Sequence, residues 1–384
     1  MQSHRMDAPS FPTFFHQPRA QPRKLSGLLS APRAFHQRLP GYAPTPLRDA
    51  PEIARSLGIR QLLIKDESSR LGLPAFKILG AAWATYRALE TRLGRSLEPW
   101  EIFAQLVEKL APLRPLRLTT ATDGNHGRAV AHVAKLFQLE ARIFVPAGTA
   151  QARLDGIASE GAEVVVVDGT YDDAVVRAAE EASERCLVVA DTSWPGYEEI
   201  PRWVSEGYAT IFSEIDAELD CRGQESPDLV AVQFGVGARA VALVRHPWRD
   251  KQPTLLSVEP LRAACGLASV AAGELVTIPG PHDSIMAGMN CGRVSRIAWP
   301  VISRGLDAFL AIPDERAREA MRALARAGIV AGETGAAGLA GVIELLQGAH
   351  NYRQTLKIAA HSRILCLVTE GATDPEAYQR IVSA

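Results

Sequence analysis

LRLTTATDGNHGRAVAHVAKLFQLEARIFVP, residues 116–146, decides the fold. A β-branched run ends in a tight polar turn, a helix of small apolar residues follows, and a second apolar run closes the unit. Strand, helix and parallel strand is the repeating unit of a doubly wound sheet. AEVVVVD (162–168) and CLVVAD (186–191) continue it at even spacing. Outside this block, QLLIKD (61–66) precedes it, and LVAVQFG (229–235), TLLSVEP (254–260) and RILCLVT (363–369) follow. Near-continuous apolar strands separated by helices indicate parallel sheets covered on both faces. Eight such runs predict an α/β chain of two doubly wound lobes. The expected division is a smaller lobe over 89–214 and a larger one from 35–88 with 215–384. Sites in such folds lie at the carboxyl ends of strands, often between lobes.

Composition narrows the classes. With 384 residues, 47% hydrophobic and 22% charged, the chain suits a soluble globular enzyme with a large core. A net charge of -1 favours neither nucleic acid nor an anionic membrane as partner. No apolar run reaches the ~18 residues that span a bilayer. Cys186, Cys221, Cys265, Cys291 and Cys366 contain no CxxC pair, so neither a metal site nor a disulfide framework is expected, and a reducing, cytoplasmic setting is. A pairing of Cys265 with Cys291 stays open. Residues 1–34 hold five prolines and one acid, Asp7, without an apolar h-region; they read as a mobile tail or an arm across a neighbouring subunit.

Five loops at strand ends carry the chemistry. In KDESSRLGLPAFKILGAAWA (65–84), Lys77 opens a helix behind Phe76. The helix dipole and the aliphatic neighbours would both lower its pKa, giving the neutral amine that Schiff-base chemistry needs. A lysine snorkelling at a helix start is the plainer reading. TTATDGNHGRAVA (119–131) puts Asp123, Asn125 and His126 on one turn; an ordinary turn capped by Asp or Asn is the alternative. In VQFGVGARAVA (232–242), Gly235, Val236, Gly237 and Ala238 could cradle a phosphate at a helix N-terminus, although helix-packing glycines fit as well. ADTSWPGYEEIPRWVSEGYATI (190–211) sets Asp191 beside Trp194, Tyr197 and Trp203, as a pocket wall, a lid or a subunit interface would. The C-terminal loops AGMNCG (287–292), GETGAAG (332–338) and LVTEGATDP (367–375) offer Glu333, Thr334 and Thr369.

Taken in this order, GYAPTPL (41–47), KDES (65–68), GLPAFKILG (72–80), TATDGNHGR (120–128), YDDAV (171–175), DTSWPGYEEIP (191–201), GVGA (235–238), IMAGMNCG (285–292), GETGA (332–336) and TEGATDP (369–375) resemble the fold type II pyridoxal-phosphate enzymes, and within them the diaminopropionate ammonia-lyase family. The resemblance runs from about residue 35 to the C-terminus. It implies pyridoxal 5'-phosphate on Lys77, with Phe76, Asn125, the 235–238 loop, Glu333 and Thr369 around it. It implies Asp123 and Asp191 facing a small amino-acid substrate, 2,3-diaminopropionate, which is converted to pyruvate and ammonia by a homodimer. Lys77 would serve one face of the α-carbon, Asp123 the other, and Asp191 the β-ammonium. A serine or threonine dehydratase, or a β-replacement enzyme, is the neighbouring reading; a fold that has lost catalysis is a further one. Pro74, Glu206, Val368 and Ala372 depart from the family pattern. At 368 a serine is expected near the pyridine nitrogen, so Thr369 or Thr373 would replace it.

Overall fold

A computed structural model describes residues 12–17, 30–350 and 352–384. Among the described residues, eleven strands form two sheets. β1 (Phe14–His16), β2 (Leu47–Asp49), β3 (Gln61–Asp66), β8 (Leu229–Gln233), β9 (Thr254–Pro260), β10 (Ala308–Ile312) and β11 (Arg363–Val368) make a seven-stranded sheet in the order β1-β10-β9-β8-β11-β3-β2. β4 (Arg117–Ala121), β5 (Glu140–Pro146), β6 (Glu163–Val167) and β7 (Cys186–Val188) make a four-stranded sheet in the order β6-β5-β4-β7. All four smaller-sheet strands are parallel, as are the five inner strands of the larger sheet. Its two edge strands, β1 and β2, are antiparallel and three residues long. The expected boundaries at 88 and 214 fall inside the helices Lys77–Leu93 and Ala209–Cys221, which continue across them.

Part of the N-terminal expectation needs correcting. Residues 14–16 add an edge strand to this chain's own sheet, and Phe14 stacks on Tyr352 at 4.0 Å. Residues 30–34 begin the helix Ser30–His36, which buries Phe35. Two adjacent phenylalanines gain more from this sheet edge than from water. The rest of the expected tail, 1–11 and 18–29, lies outside the described residues.

A buried ionic cluster fixes the chain around the end of β3. Lys65 Nζ lies 2.7 Å from Glu214, and Arg70 reaches both Glu67 (2.6 Å) and Glu214 (2.7 Å). Thr45 and Tyr42 donate to the same two carboxylates. Two cations and two anions neutralise one another, which makes their burial tolerable. Burial alone would raise the Glu214 pKa; Arg70 and Lys65 outweigh it and hold it at about 2.

His36 joins three helices: Nε2 donates to Leu79 O at 2.9 Å, and Nδ1 meets Thr210 Oγ1 at 2.7 Å. A carbonyl only accepts, so Nε2 carries the hydrogen and the neutral ring fits both partners. Complete burial lowers the pKa to about 3. The unfolded chain therefore binds a proton that the folded one refuses between pH 6.5 and about 3. Stability is full above 6.5 and falls below it by about 1.4 kcal/mol per pH unit. The stability gap between wild type and His36→Gln should thus narrow by about 2 kcal/mol from pH 6.5 to 5. Denaturant melts at the two pH values check this; a constant gap contradicts it.

Candidate active site

The Lys77 loop is pinned before the helix starts. Arg70 and Leu73 exchange backbone hydrogen bonds across a two-residue turn, with Leu71 in the left-handed region at φ 52°. Such a conformation costs a leucine ~1 kcal/mol and persists because Arg70 is locked in the ionic cluster. The loop then runs against the strap after β11: Phe76 N donates to Thr369 O, and Gly371 N donates to Pro74 O at 2.9 Å. Pro74, lacking an N–H, gives up nothing there because only its carbonyl is used. Behind Lys77 the helix Lys77–Leu93 meets Glu199–Gly207 at backbone distance. A Cβ on Gly80 would stand 2.6 Å from the Tyr208 ring, and one on Gly207 2.5 Å from Leu79 O. Glu206 accepts from the indole of Trp83 (3.3 Å), so its departure from the family pattern serves this helix packing.

Lys77 Nζ lies 2.6 Å from Asp191 Oδ2, joining the two sheets across the cleft. The lysine side chain is 23% exposed and the aspartate 8%. Asp191 follows β7, whose end is clamped twice. Tyr197 OH donates to Val188 O and accepts from Ala190 N, while Trp194 stacks on Tyr197 at 4.1 Å. His126 Nε2 donates to Val189 O at 2.8 Å. The aromatic loop is therefore an internal clamp that aims Asp191. On the facing turn, Thr122 Oγ1 accepts from Gly124 N and Gly127 N. A threonine thus caps this turn, and Asp123 and Asn125 are released from capping.

Electrostatics ties these groups into one site. Burial presses the Lys77 pKa down, but the carboxylate of Asp191, with Tyr208 and Asp123 behind it, raises it above its ordinary value. The expected lowered amine is thus overturned, because a partner 114 residues away outweighs desolvation. Asp191, despite burial, is held at about 2 by Lys77. Burial raises Asp123, with Arg153 and Lys77 opposing. Tyr208, buried with its hydroxyl unpartnered, is pushed up to about 12 by burial.

The Gly235–Ala238 loop fits a phosphate. It joins β8 to the helix Ala238–Arg245, whose N-cap, Gly237, is left-handed at φ 98°. Among the described residues no carbonyl or side chain accepts from the backbone N–H groups of 235–238. Uncapped N–H groups at a helix head make an anion cradle. Cys265 Sγ lies 3.7 Å from Gly235 O, and a Cβ on Gly235 would be 3.3 Å from Cys291 Sγ; both thiols are free.

The remaining predicted residues gather nearby. Asn125 Nδ2 donates to the Glu370 carboxylate across the cleft. Glu370 Oε1 is buried without a partner, and burial raises the acid's pKa. Glu333 heads the helix Glu333–Gln347, with its pKa also raised by burial. Val368 is buried in β11. Thr369 Oγ1 makes a 3.5 Å contact to Thr334 O, whereas Thr373 Oγ1 is buried and unpartnered, the freer of the two hydroxyls. Ala372, partly buried, packs against the apolar cluster that includes Leu62, Ile64, Cys366 and Val368. Tyr208, Arg153 and Glu370 are not singled out by the sequence, because only the folded chain brings Tyr208 to Lys77, Arg153 to Asp123 and Glu370 to Asn125.

The family model described as pyridoxal-phosphate dependent enzyme matches residues 38–370. The chain belongs to this family. It is 37% identical over 363 residues to the diaminopropionate ammonia-lyase of Escherichia coli K12, covering 91% of this chain and 90% of the relative. The crystal structure of the Escherichia coli enzyme in complex with D-serine superposes with a TM-score of 0.88 at 31% identity, covering 98% of both chains. Its complex with an aminoacrylate-PLP azomethine reaction intermediate gives 0.86 at 32%, again covering 98% of both chains. Lys77, the uncapped cradle and the unpartnered polar atoms fit the family's cofactor.

Proposed function

We propose that the chain eliminates the β-amine of 2,3-diaminopropionate, yielding pyruvate and ammonia as a pyridoxal-phosphate-dependent lyase. The observation that carries this reading is the Asp191–Lys77 pair: Asp191 already holds an ammonium at 2.6 Å in a site closed to most water. A β-ammonium presents the same group, while a serine hydroxyl or cysteine thiol would leave the carboxylate without a cation. Relatives 37% and 35% identical to this chain carry this activity in their names.

When bound, pyridoxal phosphate draws electrons from the substrate's α-carbon and makes its proton removable. With Asp191 engaged by the β-ammonium, burial outweighs the remaining partners of Lys77 and leaves its amine neutral, so that Nζ takes that proton from its side of the cleft. Asp123, carried by the facing turn, serves the enantiomer whose proton points away from Lys77. Asp191 keeps the β-nitrogen protonated, so that it leaves as ammonia. The three-carbon enamine takes up water and becomes pyruvate and a second ammonia. On this reading 35–88 with 215–384 form the cofactor-holding lobe, 89–214 the lobe bearing Asp123 and Asp191, and the enzyme works as a cytoplasmic homodimer.

Pyruvate release from each enantiomer, with L-serine as control, tests the proposal. Diaminopropionate should exceed serine at least ~100-fold in kcat/KM, and Asp123→Asn should slow the D-isomer more than the L-isomer. Serine turned over as well as diaminopropionate would move the reading to a dehydratase.

A further inference from the structure

Arg239, the second residue of the helix Ala238–Arg245, is 8% exposed and is absent from every ion pair within 4 Å among the described residues. Its Nη2 folds back to Gln233 O at 2.5 Å and Gln233 Oε1 at 3.2 Å, just before the 235–238 loop. Its Nε is buried without an acceptor. The guanidinium carbon lies 4.6 Å from the centre of the Phe76 ring, and Lys77 Nζ lies 5.7 Å from the same centre. A buried cation at the head of a helix is doubly unfavourable here: no carboxylate among the described residues stands within ion-pair distance, Glu67 and Glu370 acting on it only from farther off, and it opposes the helix dipole. Burial accordingly lowers its pKa to about 10. Beside it lies the run of uncapped N–H groups, a place built for negative charge.

We propose that Arg239 is the counter-charge of the cofactor's phosphate, an anchoring residue for a phosphate monoester dianion held by the Gly235–Ala238 cradle. This rests on the reading of that loop as the phosphate site. The dianion offsets the cation that the fold otherwise leaves exposed to the dipole. Arg239 and Lys77 touch one ring, so the same residue that anchors the phosphate also packs the approach to the lysine.

The test uses full-length protein freed of cofactor, wild type and Arg239→Met, titrated separately with pyridoxal 5'-phosphate and with pyridoxal, which lacks the phosphate. Fluorescence reads the dissociation constants, and inorganic phosphate is added to thermal melts as a second probe. The wild type should prefer pyridoxal 5'-phosphate strongly. Arg239→Met should lose at least tenfold of that preference while still binding pyridoxal, which shows that the pocket is folded. Phosphate should raise the melting temperature of the wild type and leave that of Arg239→Met unmoved. An unchanged preference in Arg239→Met, whatever happens to the absolute affinities, overturns the role of Arg239 and leaves the cradle standing. A wild type without any phosphate preference overturns the cradle reading and Arg239 with it.

Discussion

Lys77→Ala loses at least ~10³-fold in pyruvate formation, since it removes both the covalent attachment and a proton acceptor. The protein should still take up pyridoxal phosphate through the 235–238 cradle but release it on desalting. The substitution also strands Asp191, whose pKa of about 2 depends on the lysine. A buried carboxylate left without its cation is costly, so some loss of stability is expected with the loss of turnover. Lys77→Arg separates the two effects. It keeps a cation beside Asp191, which should recover most of the stability, yet it offers no nucleophilic amine and should stay inactive. Activity in Lys77→Arg comparable with wild type would remove Lys77 from the chemistry.

Asp191→Asn carries the second large effect. The amide keeps the shape and the clamps at Val188, Val189 and Ala190, none of which involves the Asp191 side chain. What it loses is the charge that holds an ammonium. Turnover of diaminopropionate should fall ~10²–10³-fold, while any slow reaction with serine should change little, because a hydroxyl never used that charge. The same change lets burial dominate at Lys77, so its pKa should fall below the ordinary lysine value. Equal losses for both substrates would show Asp191 to be a structural partner of Lys77 alone.

The two-sheet plan was legible because its long inner strands are near-continuous apolar runs. β10 is hidden in sequence because AFLAI holds a single β-branched residue, Ile312, among alanines and a leucine, and β1 and β2 are too short to show an alternation. Site residues that sit on strand-end loops, Lys77, Asp123, Asn125 and Asp191, could be picked out by their loops. Tyr208 could not, as it lies between two helices and reaches Lys77 only because Gly80 and Gly207 let those helices touch. The sign of the Lys77 pKa is hidden for a related reason: its local neighbours are visible in sequence, and Asp191 as its partner is not. Arg239 stands inside the quoted loop, but that no carboxylate among the described residues comes within ion-pair distance of it is a property of the folded core.

The most direct measurement counts ammonia against pyruvate in one reaction of the purified, cofactor-loaded protein with 2,3-diaminopropionate. Two ammonia per pyruvate is the expected result, one from the β-carbon that Asp191 serves and one from hydrolysis of the enamine. No pyruvate from this substrate, with pyruvate and a single ammonia from serine or threonine, would contradict the assignment.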